Sequence, residues 1–213
     1  MHSVITPIKD FISSQLGADF HIEIMSFKTQ SSDPFEKKTK NRFDLRTRFY
    51  NYLKEEKNFV FEDVLDLRNV PQSIAVPGRE YYSSLSHTED TGVFVLDSSP
   101  IGVDYENRER ILQDIVKRVS RESEFNLNPD FQLLWSIKEA AFKAIPFIIQ
   151  PKTISEIVVN TIEVLGKHQA QIPGFEVHSF SASTRTSPKT KIHGYGISNA
   201  TVQLVVAKAL IKK

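Results

Sequence analysis

The hydrophobic period of the chain switches repeatedly between two residues and about 3.6, so strands and helices must alternate along it. Phe20–Phe27 (FHIEIMSF) alternates apolar and polar residues and predicts a strand. Lys28–Lys40 is polar, and Ser31, Ser32, Asp33 and Pro34 predict a loop there. Asn41–Leu53 predicts a helix. Gln72–Glu80, punctuated by Pro77 and Gly78, predicts a loop. Tyr81–Leu85 and Val93–Leu96 predict strands around a polar turn at His87–Thr91, and Ile101–Glu106 a further strand after the connector Asp97–Pro100.

Helical spacing returns in Arg108–Arg121, with Ile111, Leu112, Ile115, Val116 and Val119 in one stripe. Asn128 as cap and Pro129 in the first turn predict the start of a helix that spans Gln132–Ile145 and ends near Pro146. Strands are expected at Ile154–Val159, Glu176–Ser181 and Ala200–Ala207. The result is an α+β chain divided near Ser98–Ser99, with residues 1–98 and 99–213 as two lobes. The order strand, loop, helix, strand recurs loosely in both, which fits a duplicated unit.

Composition narrows the function classes. With 213 residues, 40% of them hydrophobic and 25% charged, the chain can bury a sizeable core. Lys and Arg number 27 against 26 Asp and Glu, a net charge of +1, so whole-molecule attraction to nucleic acid or an anionic membrane is not expected. Cysteine is absent, which excludes a disulfide scaffold, a thiolate zinc site and a cysteine nucleophile. His168, His178 and His193 lack metal-ligand spacing. No run reaches the ~18 apolar residues of a membrane helix, and Met1–Phe11 lacks the pattern of a secretory signal. A soluble cytoplasmic protein is expected.

Four segments can carry chemistry. In Ile101-Gly102-Val103-Asp104-Tyr105-Glu106, strand alternation puts Asp104 and Glu106 on one face, with Gly102 leaving that face open. Two carboxylates ~7 Å apart repel unless a cation sits near them, and Mg²⁺ takes one or two carboxylates plus phosphate oxygens. The same hexapeptide also reads as a half-exposed strand with an ordinary polar face. In the helix Gln132–Ile145, Leu133, Leu134, Ile137, Ala140, Ala141, Ala144 and Ile145 form one apolar arc. Lys138, Phe142, Trp135, Glu139 and Lys143 form the opposite one. Trp135, Glu139 and Lys143 are stacked at i, i+4 steps; they face a ligand, another part of the protein, or solvent. His87, closing Ser84-Leu85-Ser86-His87, is a phosphate ligand or a structural histidine. In the basic run Lys37, Lys38, Lys40, Arg42, Arg46 and Arg48, the helical wheel sets Arg42 and Arg46 within the apolar arc of Leu45, Phe49, Leu53, Tyr50 and Phe43. There each must snorkel or pair with an anion. No Walker loop, G-x-G-x-x-G or G-x-S-x-G is present.

Three blocks, in order, resemble the 4′-phosphopantetheinyl transferase superfamily, in particular its larger, surfactin-synthetase type. Ser84-Leu85-Ser86-His87-Thr88 resembles S-[IL]-S-H-[ST]. Pro100-Ile101-Gly102-Val103-Asp104-Tyr105-Glu106 resembles P-[IV]-G-[IV]-D-x-E. Trp135-Ser136-Ile137-Lys138-Glu139-Ala140-Ala141-Phe142-Lys143 resembles W-[ST]-x-K-E-[AS]-x-x-K. The likeness covers about Tyr81–Lys152; Ala75-Val76-Pro77-Gly78-Arg79 departs from the family's G-[KR]-P segment.

The resemblance implies two similar α+β lobes related by a pseudo-two-fold axis, with coenzyme A in the cleft between them. It implies a monomeric enzyme that transfers 4′-phosphopantetheine from coenzyme A to a serine of an acyl or peptidyl carrier protein, with Mg²⁺. By position, Asp104, Glu106 and Glu139 would hold the metal, and Asp104, Glu139 and Lys143 would be catalytic. Arg42, Arg46, Ser86, His87, Asp104, Lys138 and Lys143 would contact coenzyme A. Either Glu139 or Glu106 would be the base, and the ~4 Å proximity of Lys143 should keep Glu139 ionised. A non-catalytic binder of coenzyme A or a carrier, and an Mg²⁺-dependent nucleotide phosphohydrolase, are the alternatives.

Overall fold

Two antiparallel sheets organise the chain, described by a computed structural model over residues 2–28, 32–56, 72–76, 79–128, 130–166, 172–187 and 189–211. Ser31, Pro77, Gly78, Pro129 and His168, named above, lie outside the described residues. The elements are α1 (His2–Leu16), β1 (His21–Ser26), α2 (Pro34–Glu56), β2 (Ser73–Val76), β3 (Arg79–His87), β4 (Thr91–Asp97) and β5 (Ile101–Asn107). They continue with α3 (Gln113–Val119), α4 (Glu122–Phe125), α5 (Phe131–Ala144), β6 (Ile157–Val164), β7 (Glu176–Thr184), β8 (Lys191–Ser198) and β9 (Val202–Leu210).

The first sheet has the order β1-β4-β3-β2 and the second β5-β9-β8-β7-β6. Each begins with a strand, passes through a helical segment, and returns as a meander whose last strand pairs with the first. All strands of the first sheet precede Ser98 and all those of the second follow Ser99.

Several boundaries differ from expectation for local reasons. Asp33 is a cap rather than a loop residue: its carboxylate accepts from Phe35 N at 2.8 Å, and α2 starts at Pro34, a favoured first helical position. Asp130, not Asn128, caps α5, accepting from Gln132 N and Leu133 N. The Arg108–Arg121 pattern splits into a 3₁₀ turn at Arg108–Arg110, extended Ile111 and Leu112, and the shorter α3. Another 3₁₀ turn, Ile154–Glu156, closed by a Thr153–Glu156 capping box, delays β6 to Ile157. The strands β2 and β8 and the helix α1 were not expected.

α2 buries Leu45, Phe49 and Leu53 against Ile74, Phe94 and Leu96, whereas Phe43, expected in the same arc, is exposed. The predicted arc of α5 is buried on the second sheet against Val205, Ala207 and Ala209. A third cluster joins the halves: Ile8, Ile12 and Leu16 of α1 pack with Val93 and Val95 of β4, Val103 of β5 and Val206 of β9. Each fully buried Leu or Ile contributes roughly 1.5–3 kcal/mol. At the same junction Lys208 pairs with the buried Asp97 at 2.9 Å and donates to Leu16 O at 3.4 Å. Among the described residues no helix is long and apolar enough to cross a membrane.

The outer edge of β5 is satisfied without another strand. Val103 N donates to Ser84 Oγ and Tyr105 N to Ser86 Oγ, both at 3.1 Å, so alternate serines of β3 receive the alternate free N–H groups of an edge strand. The first sheet thus holds the strand that carries Asp104 and Glu106.

On its other side β5 is covered by α5, and Gly102 permits the approach. A Cβ there would meet Ala140 O at 2.1 Å and Ala144 N at 2.5 Å. Gly102 therefore does not leave the carboxylate face open, as expected from the sequence; helix backbone fills the space. Gly102→Ala is expected to lower stability by ~1–3 kcal/mol, since backbone rather than a side-chain tip must yield. Denaturant unfolding checks this, and an unchanged midpoint would contradict the close packing.

Candidate functional site

A cleft of about 500 Å³ opens between α2, the end of β3, β5 and α5. Its basic wall comes from α2. Lys38 and Arg42 share the side of that helix that buries Leu45, Phe49 and Leu53, nearer its N-terminus, and there line the cleft. The helix is tied to the β3–β4 turn by Lys37–Asp90 at 3.1 Å and by Asn41 Nδ2 donating to Glu89 O at 2.6 Å. Arg42 Nε donates to His87 Nε2 at 3.0 Å, and His87 Nδ1 lies 3.2 Å from Thr88 O. A guanidinium only donates and a carbonyl only accepts, so His87 is neutral with its proton on Nδ1. Burial lowers its pKa, and the charges of Arg42, Lys38 and Arg46 lower it further. As a phosphate contact His87 would have to release Arg42 from Nε2 or gain a proton; Arg42 itself is exposed and able to turn to an anion.

The opposite wall is built from β5 and α5. Asp104 is buried and fully engaged: Lys143 Nζ donates to its Oδ1 at 2.9 Å, Ser86 Oγ to the same oxygen at 3.3 Å, and Ser136 Oγ to Oδ2 at 2.7 Å. Gln203 Nε2 donates to Ser136 Oγ at 2.6 Å, and Arg108 Nη1 to Gln203 Oε1 at 3.2 Å. Glu106, Glu139, Arg110 and Trp135 complete the wall.

The carboxylates feel one another. Burial, then repulsion from Asp104, pushes the Glu106 pKa up to about 6, although Arg110 and Lys143 oppose it. Burial also raises that of Glu139, and Lys143, as expected, pulls it down without reversing the shift. For Lys143, burial works against the charge, but Asp104, Glu139 and Glu106 outweigh it and raise the pKa.

Of the residues singled out from the sequence, Arg42, Ser86, His87, Asp104, Glu106, Glu139 and Lys143 line this one cleft. Arg46 is outside the lining, though its charge reaches His87. Lys138 is a correction: it is wholly buried on another side of α5, 2.8 Å from Glu124 Oε1 and donating to Ile157 O at 2.6 Å. The ~100° step from Glu139 turns it away from the cleft, where α4 and β6 cover it. Sequence reasoning passed over Ser84, Ser136, Arg110 and Gln203. The serines stand inside the two motif blocks and Arg110 four residues after Glu106; Gln203 gave no signal.

The three carboxylates expected to hold a metal, Asp104, Glu106 and Glu139, share the cleft. Among the described residues no three His, Asp or Glu side chains gather to hold an ion by themselves. Asp104 directs its oxygens to Lys143, Ser86 and Ser136. The chemistry of the donors still fits a hard divalent ion: carboxylates that raise one another's proton affinity favour a cation between them, and Mg²⁺ needs only one or two when phosphate and water complete its shell.

The folded protein binds the Glu106 proton more tightly than the unfolded chain does. Glu106 thus contributes stability that is complete below about pH 4.5 and lost as the pH rises through about 6. In metal-free buffer Glu106→Gln is expected to melt higher than the unaltered protein above pH 7 and no higher near pH 5. A lower melting temperature at both values would show that Glu106 is not strained by its surroundings.

No family model matches the chain, and no curated protein matches it.

Proposed function

We propose that the chain is a 4′-phosphopantetheinyl transferase, moving the phosphopantetheine arm of coenzyme A to a serine hydroxyl of an acyl or peptidyl carrier protein. One observation carries the reading: Arg42 and Lys38 on one wall face Glu106, Glu139, Asp104 and Lys143 on the other across a single cleft. The three motif blocks that resemble the family supply the acidic wall and the His87 end of the cleft, and α2 supplies the basic wall. The shared order of strand, helix and meander supports two lobes related by a pseudo-two-fold axis. On this reading the enzyme works as a cytoplasmic monomer on a soluble carrier.

In the reaction the serine oxygen bonds to the phosphorus that bears the pantetheine, and the bond from that phosphorus to the bridging oxygen breaks. Adenosine 3′,5′-bisphosphate leaves. Arg42 and Lys38 bind phosphate oxygens, and Lys143 complements the charge that develops on the diphosphate. Glu106 takes the serine proton; with a metal-free pKa of about 6 it is largely ionised near neutrality. Glu139 and Glu106, with Asp104 behind Lys143, are the oxygen donors open to Mg²⁺. When bound, that ion supplies Lewis acidity at the diphosphate.

Incubation with coenzyme A, Mg²⁺ and a panel of apo carriers tests the reading by intact mass. A gain of one phosphopantetheine on a carrier supports it. Adenosine bisphosphate with no gain points to a hydrolase, and neither product to a binding protein; both overturn transfer.

A further inference from the structure

The molecule holds a second cavity, of about 360 Å³, on the far side of β5 from the cleft. Strand alternation separates the two: Asp104 and Glu106 face the cleft, whereas Tyr105 between them lines the cavity. The walls come from both halves, with Ile8 of α1, Ile24 of β1, Ile197 of β8 and Leu204 of β9 among them. Ile8, Ile197, Leu204, Tyr105 and Thr91 are each at most 8% exposed, while Ser26 and Thr201, also in the lining, are exposed, so the space is a recess that runs from the shared core to the surface. Among the described residues no charged side chain lines it. Tyr105 and Thr91 bring hydroxyl groups into the wall, the phenol lying against Thr91.

We infer that this cavity is a binding site for a neutral, mostly apolar small molecule carrying one hydrogen-bonding group, such as a medium-chain alcohol, amide or ester. Size sets the class: the volume lies at the low end of ligand pockets and is more than twice the ~150 Å³ apolar cavity that accepts benzene. Polarity sets the rest. An apolar recess stays dry, so filling it recovers dispersion contacts that its walls lack. The Tyr105–Thr91 hydroxyls can exchange one hydrogen bond with a guest. A carboxylate or ammonium would be desolvated there with no countercharge among the described residues. The inference does not depend on the activity proposed for the cleft.

Isoleucine methyl groups report the site. In protein labelled at the isoleucine δ-methyls, 1-octanol is expected to shift Ile8, Ile24 and Ile197 saturably while leaving Ile137 and Ile157, buried between α5 and the second sheet, in place. Octanoate, of the same length but charged, is expected to bind at least ~10-fold more weakly. Val202→Phe, which fills the recess from β9, is expected to abolish the shifts. No saturable shift, equal binding of octanoate, or equal movement of Ile137 and Ile157 would each overturn the site. Should the variant not fold, the comparison of octanol with octanoate in the unaltered protein decides.

Discussion

Glu139→Gln is expected to reduce transfer turnover at least ~10²-fold while leaving the melting temperature unchanged or slightly raised. Glu139 is half-buried on the acidic wall, and burial with repulsion from Asp104 raises its pKa. A neutral amide of the same shape relieves that repulsion, so the fold loses nothing. The acidic wall, however, loses one of its two carboxylates that are not already committed to Lys143. Asp104→Asn differs in one respect: Lys143 Nζ would lose its charged partner at 2.9 Å, so turnover falls and stability falls with it. Steady-state kinetics beside a melting curve separates the two variants. Unchanged turnover in Glu139→Gln would remove the acidic wall from the mechanism.

Lys138→Ala is expected to destabilise the protein by ~3–5 kcal/mol, because it strands a buried charge. The Lys138 and Glu124 side chains are 0% and 1% exposed. Glu124 also accepts from Val159 N at 2.8 Å and Arg121 N at 2.7 Å, so it cannot swing out to water without breaking the α4 cap and the start of β6. With the ammonium gone, the carboxylate keeps its backbone donors but loses its countercharge. Replacing both partners, as in Lys138→Met with Glu124→Gln, is expected to recover more than half of the loss. Denaturant unfolding of the single and double variants measures both terms. A loss under ~1 kcal/mol for Lys138→Ala would show that the pair does not hold α5 to β6.

The elements that build the site were legible because their patterns are strong. Asp104 and Glu106 alternate on a short apolar strand, and α5 has an unbroken apolar arc that the sheet buries as the wheel predicts. What failed was the inference from an angle to a neighbour. The wheel grouped Lys138 with Glu139, but it carries no information on what packs against each side of a helix. Only the fold brings Glu124 to one flank and β5 to the other. The engagement of Asp104 was hidden for a similar reason: Lys143 is 39 residues away in sequence and Ser136 is 32.

Missing elements have physical causes too. β8 (KIHGYGIS) puts Ile192, Gly194, Gly196 and Ser198 on its buried face, so its alternation in burial is not matched by an alternation in hydropathy. β2 is a four-residue edge strand, too short for a period. α1 contains Pro7, normally a helix breaker.

The central claim is that the phosphates of coenzyme A lie between Arg42 and the carboxylates of β5 and α5. Trp135 is the only tryptophan and lines that cleft, so its fluorescence reports the site directly. Titration with coenzyme A is expected to change Trp135 emission saturably, with tighter binding when Mg²⁺ is present and weaker binding in Arg42→Ala. An emission spectrum indifferent to coenzyme A with and without Mg²⁺, or an affinity untouched by Arg42→Ala, would contradict that placement.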